Sequence, residues 1–409
     1  MNSQSTAIRT NLTEAPPSSP RPPRHSAPWT YPHLDAARIQ GTCEARFEPL
    51  KELMEELLES GEDIGSSIAV FIDGQPQVDL WGGFFDAGYV RPWEDNTIIT
   101  THSVTKTMSA ISALLLADMG ELNLDAPVSQ YWPEFGVNGK RDILVRQVLG
   151  HASGVAGWEA DMTWEDVYDL DRATELLARQ TPWWEPGTAS GYHGMNYGHL
   201  IHGFVSRITD MSLGQFFDKY VATPLGADYH IGTGPECDHR IASFIPATFR
   251  RLPRNNAIGE RVGLNPILTP LTSTTTNWRR AEVGAANGHG NARSIATVLS
   301  ALASGGANGV TLLSERGRNR ALEVQTDGVD LLLGLPCRWG MGFCLDGCVF
   351  PNPKRHRIAA WGGLGGLLGF TDFDERMSIG YAMNRWLDGP YETVRNNRIV
   401  NKIYECLGN

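Results

Sequence analysis

The placement of the strand patterns, at the two ends of the chain around a helical middle, most limits the folds open to it. Residues 67–72 and 77–81 read as strands joined through Asp73-Gly74, a hairpin signal. Strand patterns return at 339–345, 357–361, 366–372 and 377–384. Between about 103 and 280, apolar positions recur at helical spacing, as in 108–119 and 200–208, broken by Gly and Pro turns. Strands so far apart share a core only when one antiparallel sheet is assembled from both ends. The expected fold class is α+β, an α/β-type sandwich.

Order is expected from near residue 44. Phe47, Leu50, Met54, Leu57 and Leu58 fall on one face of a first helix, and Val394, Ile399, Ile403 and Leu407 on one face of a last. These two helices would flank the sheet on one side. Residues 293–303 read as a further helix closed by Gly305-Gly306. The expected division is a Pro-rich disordered arm at 1–34, a discontinuous sheet subdomain from 35–100 and 285–409, and a mostly helical subdomain at 101–284.

Composition narrows the function. The chain has 409 residues, enough for a full core, and a net charge of −11 from 35 basic and 46 acidic residues. That balance argues against a nucleic-acid partner, which demands clustered cations. No apolar run is long enough to span a membrane. The N-terminus lacks a signal-peptide pattern, so a cytoplasmic protein with reduced thiols is expected.

Only six lysines occur, and one of them, Lys106, lies three residues after Ser103 in Ser103-Val104-Thr105-Lys106. On a helix, positions three apart share a face with Cβ atoms roughly 5–6 Å apart. If Thr100 or Thr101 caps that helix, Ser103 sits in its first turn, where backbone N–H groups favour a developing oxyanion. A buried Lys106 would have its pKa pushed down and could help take the serine proton. Alone, Ser-x-x-Lys is a weak signal, equally compatible with a capping serine and a solvated lysine.

Its company strengthens it. His102-Ser103-Val104-Thr105-Lys106-Thr107 is followed by Gly120-Glu121-Leu122-Asn123-Leu124-Asp125-Ala126-Pro127-Val128, Tyr131-Trp132-Pro133, Leu149-Gly150-His151-Ala152-Ser153-Gly154, Pro186-Gly187 with Tyr192 and Tyr197-Gly198, and Trp361-Gly362-Gly363. In order and spacing these resemble the serine β-lactamase-like superfamily, in the branch of class C β-lactamases, family VIII carboxylesterases and fungal transesterases. The resemblance spans roughly residues 45 to 405. It implies an acyl-enzyme on Ser103, with Lys106 and Tyr192 managing its proton. It further implies an oxyanion hole from the backbone N–H groups of Ser103 and Leu364, and substrate contacts at Trp361, Gly362 and Gly363. No cofactor or metal is implied.

Two departures matter. The family's Tyr-x-Asn reads Tyr192-His193-Gly194 here, with Asn196 nearby as the alternative amide. The third motif opens with Trp361, where β-lactam-acting relatives carry a cation for the substrate carboxylate. A neutral, bulkier or more apolar substrate is therefore expected: a small-molecule ester or thioester, such as one of secondary metabolism, with a small-molecule acyl donor and acceptor as partners. The alternatives are a β-lactamase or peptidase, and a non-catalytic scaffold on the same fold. The oligomeric state is left open.

Other signals are weaker. Gly-x-Ser-x-Gly is absent, because Gly150 to Gly154 has its serine one place late. His151 and Ser153 read as a turn with local hydrogen bonds. His199 and His202 sit three apart, without a further ligand at metal spacing. The glycine run 362–366 suits close approach of a ligand to a sheet edge. Trp158, Trp164, Trp183 and Trp184 are core or acyl-pocket candidates, and Cys337, Cys344 and Cys348 read as core thiols.

Overall fold

The computed structural model describes residues 38–246, 257–346, 350–387 and 393–408. Its main sheet is antiparallel and has nine strands: β1 (Gln40–Cys43), β2 (Gly65–Ile72), β3 (Gln75–Gly83), β4 (Thr326–Val329), β5 (Pro336–Trp339), β6 (Cys344–Asp346), β7 (Ile358–Gly363), β8 (Leu367–Asp372) and β9 (Met377–Met383). Their spatial order is β1-β3-β2-β9-β8-β7-β6-β5-β4, so N- and C-terminal strands meet where β2 pairs with β9. Asp73 and Gly74 both have positive φ, as the tight β2–β3 turn requires.

The sheet is sandwiched because its central strands are apolar on both faces. Five helices matter below: α1 (Glu48–Glu59), α2 (Thr105–Asp118), α3 (Tyr197–Thr209), α4 (Ala292–Ala303) and α5 (Thr393–Cys406). Gly369 of β8 and Gly380 of β9 lie opposite each other, and a side chain on either would meet α4. These glycines let α4 lie close against one face. On the other face Tyr381 bonds Asp63, and Arg395 of α5 sits over its ring at 5.6 Å. Helices α1 and α5 pack against each other through a core containing Leu50, Met54, Leu57, Ile399 and Ile403.

Several expectations need correction. Order begins earlier than residue 44, because β1 pairs with β3 from Gln40. Residues 339–345 are not one strand but the turn and flanks of the β5–β6 hairpin. Val394 is 67% exposed and takes no part in the apolar face of α5. The Pro-rich stretch 1–34 and Cys348 lie outside the described residues, while Cys337 and Cys344 are buried. Among the described residues, no helix is long and apolar enough to cross a membrane.

Candidate active site

Helix α2 is buried on every side from Thr105 to Leu116. Such a helix must satisfy its polar side chains internally. Thr107 donates to Val104 O at 2.7 Å and Ser109 to Gly284 O at 2.5 Å. The 3₁₀ turn His102–Val104 leads into α2 and carries Ser103, which is partly exposed. Ser103 thus precedes the α-helix rather than lying in its first turn, and neither Thr100 nor Thr101 caps it. The Thr101 hydroxyl bonds Tyr229 and donates to Gly288 O at 3.1 Å, while Thr100 pairs with His289 at 2.9 Å. Thr105 Oγ1 donates to His102 O at 2.6 Å and accepts from Gly288 N–H at 2.8 Å. The segment around Gly288 therefore anchors the serine turn. His102 adopts φ +47, and its ring is buried against Phe244 and Trp386.

Lys106 is completely buried, and that burial holds its pKa well below the ordinary lysine value. Its Nζ lies 2.7 Å from Gly194 O, 2.8 Å from Ala285 O and 3.3 Å from Ser103 Oγ. Its bonds to the two carbonyls fix the nitrogen in place, within reach of the serine hydroxyl. At the third position of Tyr192-His193-Gly194 it is thus a backbone oxygen that meets the lysine. Asn196 does not take that part. It is buried, and its Nδ2 donates to Val155 O at 2.8 Å.

Tyr192 is buried, with its ring centroid 4.6 Å from Lys106 Nζ. Its phenol oxygen accepts from the indole N–H of Trp361 at 3.0 Å. Trp361 thus acts on the phenol, in a buried aromatic group with Trp339 and Phe350. Gly191, just before Tyr192, packs so closely on the Trp184 ring that a Cβ would sit 2.4 Å from it.

Strand β7 ends beside the serine turn. A Cβ on Gly363 would lie 2.4 Å from Thr101 O, so only glycine lets the backbone approach this closely. The turn Leu364-Gly365-Gly366 follows, with Leu364 partly buried and Gly365 and Gly366 both at positive φ. Arg395 Nη2 donates to Gly365 O at 2.7 Å, and its Nη1 pairs with Asp63 at 2.7 Å, both side chains being fully buried. Gly362 lies beside the Phe350 ring.

Other sequence candidates bond to partners other than Ser103 and Lys106. Ser153 pairs with His193 rather than His151: the imidazole is 2.7 Å from Ser153 Oγ and 2.7 Å from Gly191 O. Gly191 O can only accept, so Nδ1 carries the proton and Ser153 donates to Nε2. Both side chains have no exposed surface. His199 Nε2 meets Val167 O at 2.8 Å and His202 Nδ1 accepts from Leu213 N–H at 3.3 Å, so the two turn to different partners. His202 lines a hollow of about 650 Å³ with Trp132, Arg172 and Arg207, which contains none of the residues around Ser103. Trp158 is fully buried and donates to Ala173 O.

Sequence reasoning missed Asp330 and Trp339. Buried Asp330 accepts from Tyr192 N–H at 3.0 Å and from the Trp339 indole at 3.1 Å. No motif marks either residue.

Comparison with known proteins identifies the family. Residues 50–402 match the family described as Beta-lactamase. The chain is 31% identical over 388 residues to the esterase/beta-lactamase LipL of Mycobacterium tuberculosis, covering 89% of this chain and 87% of that protein. A solved structure described as a family VIII carboxylesterase is similar at 37% identity and a TM-score of 0.86, over 90% of this chain and 99% of that one. A penicillin-binding protein homologue from Caulobacter crescentus is similar at 30% identity and a TM-score of 0.84, over 90% and 99%. The chain belongs to the beta-lactamase family and is a serine hydrolase of the β-lactamase-like superfamily.

Proposed function

We propose that the protein is a carboxylesterase or transesterase acting on a small, neutral ester or thioester through an acyl-enzyme on Ser103. One observation carries this reading: the Lys106 nitrogen, fully buried and fixed by two carbonyls, lies 3.3 Å from the Ser103 hydroxyl. A neutral Lys106 takes the serine proton as Ser103 Oγ bonds to the substrate carbonyl carbon. The carbonyl oxygen becomes an oxyanion, for which we assign the backbone N–H groups of Ser103 and Leu364 as donors. Collapse breaks the bond to the alkoxide or thiolate, which leaves with the proton held between Lys106 and Tyr192. Water, or an acceptor alcohol or amine, then repeats the sequence in reverse and frees Ser103.

Trp361 supports the substrate class. Its N–H is engaged on Tyr192, and it offers no charge to a substrate carboxylate. That ranks neutral esters above β-lactams and peptides.

Fluorophosphonate labelling tests the reading, with p-nitrophenyl esters of increasing chain length as substrates. Labelling and turnover in the wild type, both lost in Ser103→Ala, are expected. Undiminished ester hydrolysis by a folded Ser103→Ala protein would refute it. Adding an alcohol acceptor separates transfer from hydrolysis, since an ester product forms only in transfer.

A further inference from the structure

Tyr192 lies in an irregular stretch, 181–196, that belongs to no helix or strand. Such backbone has no ladder to fix it, so the phenol's position depends on other contacts. Those contacts converge on one carboxylate. Asp330, just beyond β4, is buried, and its Oδ1 accepts from the backbone N–H groups of Tyr192 at 3.0 Å, Leu332 at 2.9 Å and Leu333 at 3.0 Å. Its Oδ2 accepts from the Trp339 indole at 3.1 Å. The Trp339 ring is parallel to that of Tyr192, at 8° and 6.0 Å between centroids, and lies 4.7 Å from Trp361. Trp361 in turn donates to the phenol oxygen. The neighbouring N–H of Leu331 donates to Ser190 O at 2.7 Å, so the two segments run bonded side by side.

A buried carboxylate is costly unless its lone pairs are met. Here four N–H donors meet it, none of them a cationic side chain. Two of the four belong to Tyr192 and to the ring stacked on it. We infer that Asp330 is a positioning residue for acyl transfer, holding Tyr192 by its backbone and, through Trp339, by its ring face. This rests on the acyl-transfer reading above, because it assigns Asp330 a task only if the Tyr192 phenol takes part.

The test is a double-mutant cycle read by the rate of fluorophosphonate labelling of the full chain. Asp330→Asn keeps the shape but turns an N–H₂ group toward one of the four donors. It is expected to slow labelling by about 10- to 100-fold, the usual consequence of misplacing a catalytic group. In a Tyr192→Phe background the same change should cost less than about twofold, since the phenol it positions is gone. Trp339→Phe, which keeps a ring but loses the N–H, should show a smaller loss with the same dependence on Tyr192. It carries the test if Asp330→Asn fails to fold. Equal slowing in both backgrounds, or wild-type labelling by a folded Asp330→Asn protein, would overturn the assignment. A wild type that is never labelled at Ser103 would instead bring down the acyl-transfer reading itself.

Discussion

The indole N–H of Trp361 donates to the phenol oxygen of Tyr192 at 3.0 Å, across 169 residues of chain. A donor aimed at that oxygen fixes the ring beside Lys106. Trp361→Phe keeps the aromatic packing and removes only the donor. One buried hydrogen bond of about 1.4 kcal/mol corresponds to about tenfold in rate. Steady-state kinetics on a neutral p-nitrophenyl ester should show kcat lower by about that factor with KM little changed.

Lys106 must be neutral to accept a proton. Burial lowers its pKa well below the usual 10.5, so the active form accumulates as pH rises and saturates below the ordinary lysine range. The acylation rate should therefore climb with pH on its acidic side and level off before that range. Lys106→Arg keeps a cation that cannot deprotonate. A pH–rate profile of that variant should be flat and lower by about 10³-fold, in the range that general-base catalysis supplies.

Gly363, the last residue of β7, packs against the serine turn. A methyl group there would sit 2.4 Å from Thr101 O, so one of the two backbones must move. Gly363→Ala should displace the turn bearing Leu364 and reduce kcat by about 10²-fold, the loss expected when an oxyanion donor is misplaced. Thermal unfolding of the same variant, monitored by circular dichroism, should fall far less.

Arg395 and Asp63 form an ion pair with no exposed side-chain surface, bonded onward to Gly365 O and to Tyr381. Removing one partner strands a buried charge. Arg395→Met and Asp63→Leu should each lower the unfolding free energy by about 3–5 kcal/mol, while the double variant should be more stable than either. Guanidinium unfolding curves of the three proteins test this.

The parts of this site readable in the sequence are those set by local geometry. Ser103 and Lys106 are one helical turn apart, so their spacing alone indicates a shared face. Strands β2, β7, β8 and β9 are apolar and buried over most of their length, and β3 alternates around Val78 and Leu80. Strands β1 and β4, reading Gln-Gly-Thr-Cys and Thr-Asp-Gly-Val, are short, polar edge strands with mostly exposed side chains, and so lack any periodic signal. The β5–β6 turn was hidden because Trp339, Met341 and Phe343, which look like one alternating strand, are buried on either side of a reversal.

What the sequence could not display is pairing through backbone atoms and across long separations. The Gly194 carbonyl meets Lys106 where the family's pattern suggests an amide side chain, and a carbonyl has no letter in a motif. Asp330 bonds an N–H 138 residues away, in a stretch with no periodicity to flag it. Ser153 accepts from Val155 N–H, the local bonding that a turn at His151 and Ser153 leads one to expect, but its bond to His193, 40 residues on, has no signal in the sequence.

Intact-protein mass spectrometry, within seconds of mixing with a p-nitrophenyl ester, tests the central claim most directly. A single acyl group should appear on the wild type, map to the peptide containing Ser103, and disappear as water or an added alcohol accepts it. An acyl group on Ser153, or steady turnover with no covalent species on Ser103 even after rapid acid quench, would contradict the account.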